Sequence, residues 1–193
     1  MKSIVVFCGA SPGFDPVYLE QAYLLGKTLA EQGIQLIYGG ADVGMMRAVA
    51  NGALENGGQV TGVFPRFLGK LEIAHKGLSR LIEVETMHER KLKMHELSDA
   101  VIALPGGFGT LEELFEMLTW GQLGLHQKPI GLLNMNGFYD DLIALSDKMV
   151  STGFLKTSNR DLVLVDKTIP ELLARMKAHQ AAPAAQWITK EKT

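Results

Sequence analysis

One cysteine, Cys8, in 193 residues leaves no partner for an internal disulfide, so a disulfide-stapled scaffold is excluded. No apolar run approaches the roughly 18 residues needed to cross a bilayer, which excludes a membrane-inserted helix. Neither sign of charge dominates: 19 basic against 21 acidic side chains leave a formal charge of -2. With no Lys/Arg block to match a run of phosphates, nucleic acid is not an expected partner, and neither is a membrane. Met1-Lys2-Ser3 leads straight into a β-like run without a signal peptide's cleavage pattern. Together with the lone cysteine this points to a reducing cytoplasm. The rest is ordinary for a globular chain, 47% hydrophobic and 21% charged, and of a size for one domain.

Short β-branched runs alternate with longer segments of helical period. Strands are predicted at Ile4–Phe7, Ile34–Tyr38, Val60–Phe64, Leu81–Val84, Ala100–Leu104, Pro129–Leu133 and Leu162–Val165. Helices are predicted at Pro16–Gln32, Val43–Asn56, Met87–Leu97, Thr110–Gln122, Phe138–Ser151 and Ile169–Lys177. Most strands are continuously apolar, as strands buried on both faces must be. The pattern predicts an α/β fold: a single Rossmann-like domain over residues 1–178, doubly wound, with a mostly parallel sheet and helices on both faces. Residues 179–193 mix Ala, Pro183 and charges without period and read as a loose tail. Arg66 to Ser79 interrupts the alternation and reads as an irregular loop beside a site.

Glycine is in excess, 21 residues, and it gathers after strands. Three junctions stand out: Cys8-Gly9-Ala10-Ser11, Tyr38-Gly39-Gly40-Ala41-Asp42-Val43-Gly44-Met45-Met46, and Pro105-Gly106-Gly107-Phe108-Gly109-Thr110-Leu111-Glu112-Glu113. In an open parallel sheet the carboxyl ends of the strands form the ligand crevice, so the three junctions predict one shared pocket. In the third, the glycines allow close approach, and the free N–H groups of the following helix carry the positive end of its dipole. A phosphate suits that position; a turn needed only for tight packing is the plainer reading. No G-x-x-x-x-G-K-[ST] occurs, and Glu112 stands where a G-x-G-x-x-G fingerprint needs its last glycine, which argues against ATP hydrolysis and ordinary NAD binding.

Thr86-Met87-His88-Glu89 has capping-box form, placing Arg90 and Lys91 in the first turns of a helix, where cations oppose the dipole. Both flank the inward stripe of Met87 and Met94. Cations set against local preference on a buried edge point to an anionic ligand, or else snorkel from the rim of the core. After the glycine loop, Leu111, Leu114, Phe115 and Leu118 form the expected core stripe. Glu113 shares one flank with Met117 and Trp120; Glu112 shares the other with Glu116 and Thr119. A carboxylate beside a phosphate loop can stabilise a sugar oxocarbenium ion or orient the attacking water. His88 and His95 lack metal-ligand spacing, so no metal is expected. Cys8, ending a buried strand, reads as a small core residue.

Met87-His88-Glu89-Arg90-Lys91 together with Pro105-Gly106-Gly107-Phe108-Gly109-Thr110-Leu111-Glu112-Glu113 closely resembles the paired signatures of the Lonely Guy family, M-H-x-R-K and PGGxGTxxE. Those enzymes are cytokinin riboside 5′-monophosphate phosphoribohydrolases. The resemblance runs from Ser3 to about Lys177. It implies a Rossmann-like homodimer that needs no cofactor and hydrolyses the N-glycosidic bond of an N6-modified adenosine 5′-monophosphate or of AMP. By the same resemblance Arg90 and Glu113 match the catalytic pair. Lys91 and Gly107 to Glu112 match the nucleotide-binding segment, and Glu72 and Thr119 match further nucleotide contacts. Phe108 stands where many relatives have Tyr. A non-catalytic nucleotide or molybdenum-cofactor carrier on the same fold is the alternative, and the presence of both Arg90 and Glu113 argues against it. The homodimer is also expected because Met117 and Trp120 extend the apolar surface of their helix beyond its core stripe.

Overall fold

The computed structural model describes residues 1–70 and 73–180. Seven strands form one sheet: β1 (Ser3–Phe7), β2 (Gln35–Tyr38), β3 (Val60–Pro65), β4 (Arg80–Val84), β5 (Ala100–Ala103), β6 (Ile130–Leu133) and β7 (Val163–Asp166). They lie in the order β4-β3-β2-β1-β5-β6-β7, and every pair is parallel. The helices are α1 (Val17–Glu31), α2 (Gly44–Leu54), α3 (Met87–Glu96), α4 (Phe108–Gln122), α5 (Asp140–Ser151), α6 (Thr157–Arg160) and α7 (Ile169–Ala178). This is the expected doubly wound α/β architecture.

Alternation along β1 shows why the strands read as continuously apolar. Ile4 and Val6 face a core shared with Leu25 and Leu29 of α1, Val49 of α2 and Leu172 of α7. Val5 and Phe7 face a second core with Met94 of α3, Leu114 and Met117 of α4, and Ile130 and Leu132 of β6. With helices on both faces, neither set of side chains reaches water. Full burial of an Ile, Val, Leu or Phe side chain is worth about 1.5–3 kcal/mol, so the two cores carry the fold. On the first face α1 and α2 pack backbone to backbone. A Cβ on Gly26 would lie 2.0 Å from the Val49 carbonyl oxygen, and one on Gly52 would lie 2.0 Å from that of Tyr23.

Two expectations need correction. The core stripe of α4 is rotated from the predicted one: Leu114 and Met117 are buried together with Thr110, whereas Phe115 is exposed and Leu111 and Leu118 are half-buried. Met117 is therefore core rather than surplus surface. The stretch from Arg66 is not wholly irregular either, since residues 66–70 form a 3-10 helix and Ala41 pairs with Ala74 in an isolated antiparallel bridge. It borders a separate hollow with Ile73, His75 and Leu81, not the cleft described below. The expected tail beyond residue 180, and Glu72, lie outside the described residues.

Candidate active site

The strand order reverses between β1 and β5, and there the segments that leave the two strands part to open a cleft of about 530 Å³. Hydrogen bonds lock its floor: Leu104 N–H donates to Phe7 O (2.9 Å), Gly9 N–H to Pro105 O (3.0 Å) and Met45 N–H to Gly9 O (3.2 Å). The two loops nearly touch. A Cβ on Gly9 would sit 3.3 Å from Gly106 Cα, and one on Gly106 would sit 2.1 Å from Thr110 Oγ1. Gly107 and Gly109 differ, because a Cβ on either meets nothing within 4 Å. Their missing side chains leave the backbone bare toward the cleft. Gly107 caps α4 with extended backbone, and no side chain bonds to the first turn. The free N–H groups there, at the positive end of the helix dipole, are donors for an anion.

α3 supplies the cation. Thr86 accepts from Glu89 N–H (3.1 Å), and Glu89 Oε2 reaches back to Glu85 N–H (2.8 Å), which fixes the start of the helix. One turn on, Arg90 is 7% exposed and lines the cleft. Its Nε donates to Val63 O (3.2 Å) and its Nη2 to Gly39 O (2.9 Å). Both acceptors are neutral, and among the described residues Arg90 makes no ion pair. A buried guanidinium bonded only to neutral oxygens is costly to desolvate, and an anion in the cleft lowers that cost.

Lys91, expected in the nucleotide-binding segment, is held by two carboxylates. Its Nζ donates to Glu112 Oε1 (2.5 Å) and Glu116 Oε1 (3.0 Å), away from the cleft lining. Burial pulls the ammonium down, but the two carboxylates outweigh it and hold Lys91 above the ordinary lysine range. Glu112 thereby becomes a tethered carboxylate at the cleft edge.

Glu113 lies in the cleft wall with Arg90. Burial pushes its carboxyl up to about 7; Arg90 draws it down, and Glu112 beside it drives it up. A carboxyl that titrates near neutrality next to a buried arginine is suited to proton or charge management. Cys8 also borders the cleft, yet burial, with Glu113 adding to it, keeps the thiol protonated far above neutral pH. It is core, not nucleophile.

The structure thus gathers Gly9, Ser11, Arg90 and Glu113 with Gly106, Gly107, Gly109, Thr110 and Glu112 around one space. It does not bring Lys91, Leu111 or Thr119 to the lining; the Thr119 hydroxyl donates to Phe115 O (2.7 Å) on an exposed face. Phe108 stands 93% exposed at the start of α4. Neither Gly39 nor Gly40 lines the cleft: Gly39 sits behind Arg90, and Gly40, against Phe64 and Leu81, takes φ +81 while its carbonyl accepts from His75 N–H. Sequence reasoning missed the apolar wall of Met45, Met46 and Met87, closed by Tyr18 and Phe138. Only the Met45-Met46 pair that closes the second glycine junction pointed to it.

The profile of the family described as "Possible lysine decarboxylase" matches residues 46–176. The cleft does not fit the pyridoxal phosphate chemistry that the label implies, because no lysine among the described residues lines it and Lys91 is neutralised by two carboxylates. The chain is 46% identical, over 95% of its length and 85% of the relative's, to a probable cytokinin riboside 5′-monophosphate phosphoribohydrolase of Oryza sativa subsp. japonica. It is 47% identical to a cytokinin riboside 5′-monophosphate phosphoribohydrolase of Rhodococcoides fascians, covering 92% of this chain and 90% of that one. Among solved structures, the molybdenum cofactor binding protein of Rippkaea orientalis superposes with a TM-score of 0.67 at 26% identity, over 92% of this chain and 96% of the other. With these identities across nearly its whole length, and with both paired signatures folded around one cleft, the chain belongs to the Lonely Guy family.

Proposed function

We propose that this protein hydrolyses the N-glycosidic bond of cytokinin riboside 5′-monophosphates and of AMP, releasing the free base and ribose 5-phosphate. The observation that carries the reading is Arg90: a buried cation, with no ion pair among the described residues, beside Glu113 and the uncapped N-terminus of α4, all facing one cleft. The identity to phosphoribohydrolases supports it.

In this reading the N–H groups at Gly107 to Thr110 hold the 5′-phosphate, as helix N-termini hold anions. Arg90 adds positive charge to the phosphate or polarises the departing base. Ionised Glu113 contacts the ribose and stabilises the positive charge that grows at C1′. The C1′–N bond breaks, water adds its oxygen to C1′, and its proton accompanies the base. The thioethers of Met45, Met46 and Met87 give the base an apolar, adaptable wall.

The enzyme acts in the cytoplasm as a homodimer. The surface that supports the dimer is not the one read from sequence: Phe108, Leu111, Phe115 and Leu118 form a single stripe on α4, with Phe115 39% exposed and Phe108 bare. A second copy covers such a stripe economically.

The test is product analysis after incubating the pure protein with AMP, isopentenyl-AMP, GMP and CMP, with adenosine as control. Free adenine or N6-substituted adenine from the monophosphates, and little from adenosine, is the expected result. Tight binding without release of base would overturn it in favour of a non-catalytic binding protein, as the Rippkaea orientalis protein is named for binding the molybdenum cofactor.

A further inference from the structure

Gly39 follows β2 directly, yet its backbone does not require glycine. The left-handed conformation belongs to Gly40, at φ +81, and Gly39 is not among the residues of positive φ. The reason for its missing side chain is spatial. A Cβ on Gly39 would lie 2.0 Å from Arg90 Nη2 and 3.1 Å from Arg90 Cζ, with Met46 Sδ at 3.2 Å. The guanidinium occupies the volume in which the side chain of residue 39 would stand, and the same Nη2 donates to the carbonyl of Gly39.

We infer that Gly39 is a positioning residue for Arg90: with Val63 O it forms a seat that fixes the guanidinium at the cleft without discharging it. A carboxylate in that seat would hold the arginine as firmly, but it would cancel the charge an anionic substrate needs. Two carbonyl oxygens, one just past β2 and one on β3, spend two of the five N–H donors and leave the net charge intact. The inference rests on the reading of Arg90 as catalytic. Its geometric half, that residue 39 and Arg90 share one space, does not.

The atoms that meet the added Cβ are the far end of a flexible side chain. Gly39→Ala therefore displaces the guanidinium rather than the sheet. Expected is a fall in kcat/KM of at least about a hundredfold, the scale of losing a preorganised electrostatic group. Tm should fall by roughly 10 °C as two charged-donor hydrogen bonds are lost.

The decisive measurement is the cycle of Gly39→Ala, Arg90→Ala and the double variant, read by hydrolysis of isopentenyl-AMP and by thermal melting. Arg90→Ala clears the space, so in that background Gly39→Ala should change kcat/KM by less than about threefold and leave Tm in place. If Gly39→Ala fails to fold while the double variant folds, the shared seat stands. Equal losses of Tm in both backgrounds, near wild-type hydrolysis by Gly39→Ala, or failure of both variants to fold would overturn the inference. If the wild-type protein releases no base, the proposed hydrolysis fails and the melting cycle still decides the seat.

Discussion

Glu113 offers the sharpest quantitative test, because its burial moves an ionisation into the range where enzymes are assayed. With its carboxyl pushed up to about 7, the free enzyme carries the carboxylate form in about 3% of molecules at pH 5.5 and about 90% at pH 8. If the carboxylate stabilises charge at C1′, kcat/KM rises about 30-fold over that interval, whereas an unperturbed glutamate would give an almost flat profile. The neighbours set the direction of any displacement. Arg90 draws the carboxyl down, so Arg90→Ala should move the limb to higher pH; Glu112 drives it up, so Glu112→Gln should move it lower. The assay is kcat/KM for isopentenyl-AMP at half-unit pH steps in constant ionic strength. The substrate phosphate, with a second ionisation near about 6, adds a limb of its own, and Glu112→Gln separates the two by shifting only that of Glu113. A profile that falls above pH 7 would refute the carboxylate role and make protonated Glu113 the active form. One that is flat from 5.5 to 8 would refute the buried ionisation itself.

Arg90→Ala and Glu113→Gln should each lower kcat/KM at least about a hundredfold with the fold intact, and Glu112→Gln less, in steady-state kinetics beside circular dichroism. Near wild-type rates for both would remove the catalytic pair. Gly26→Ala drives a Cβ into backbone that cannot turn away, so it should cost about 1–3 kcal/mol or more in urea unfolding; no loss would contradict the close α1–α2 packing. Acid should also destabilise the protein at a place remote from the cleft. Burial, with Lys128 adding to it, holds His95 down to about 4, and burial lowers His126, so their stabilising neutrality is complete above the ordinary histidine pKa and is lost as pH falls from about 6.5 toward 4. His95→Phe should flatten that decline in Tm. Sedimentation equilibrium at micromolar concentration should give twice 21.1 kDa, and Phe115→Glu should return it to the monomer.

The strands and long helices were legible because burial on two faces writes continuous apolar runs, and burial on one face writes helical period. The α4 face was not, because its apolar arc spans both Met117 and Phe115, and a helical wheel cannot say which half of a wide arc meets the sheet. Thr110, polar by type, lies under the Gly106 turn and is buried there. Lys91 was correctly placed inward, but its partners Glu112 and Glu116 lie more than twenty residues away, beyond any local pattern. The methionine wall was hidden because a cavity lining and a core use the same side chains. The four-residue α6 is too short to show a period.

The strand order also bears on how the molecule comes together. β1 pairs with β2, its near neighbour in sequence, and with β5, where Ile4 meets Ala100 across nearly a hundred residues of chain. One wall of the cleft comes from the loop after β1 and the start of α2, the other from α3, the loop after β5 and the start of α4. The binding site therefore does not exist until that long loop has closed, and a non-local pairing of this kind is slow to form. A nucleotide that grips both walls ties together the two sides of the last joint to be made. Its contribution to persistence should then appear in a slower rate of unfolding, with the rate of folding unchanged.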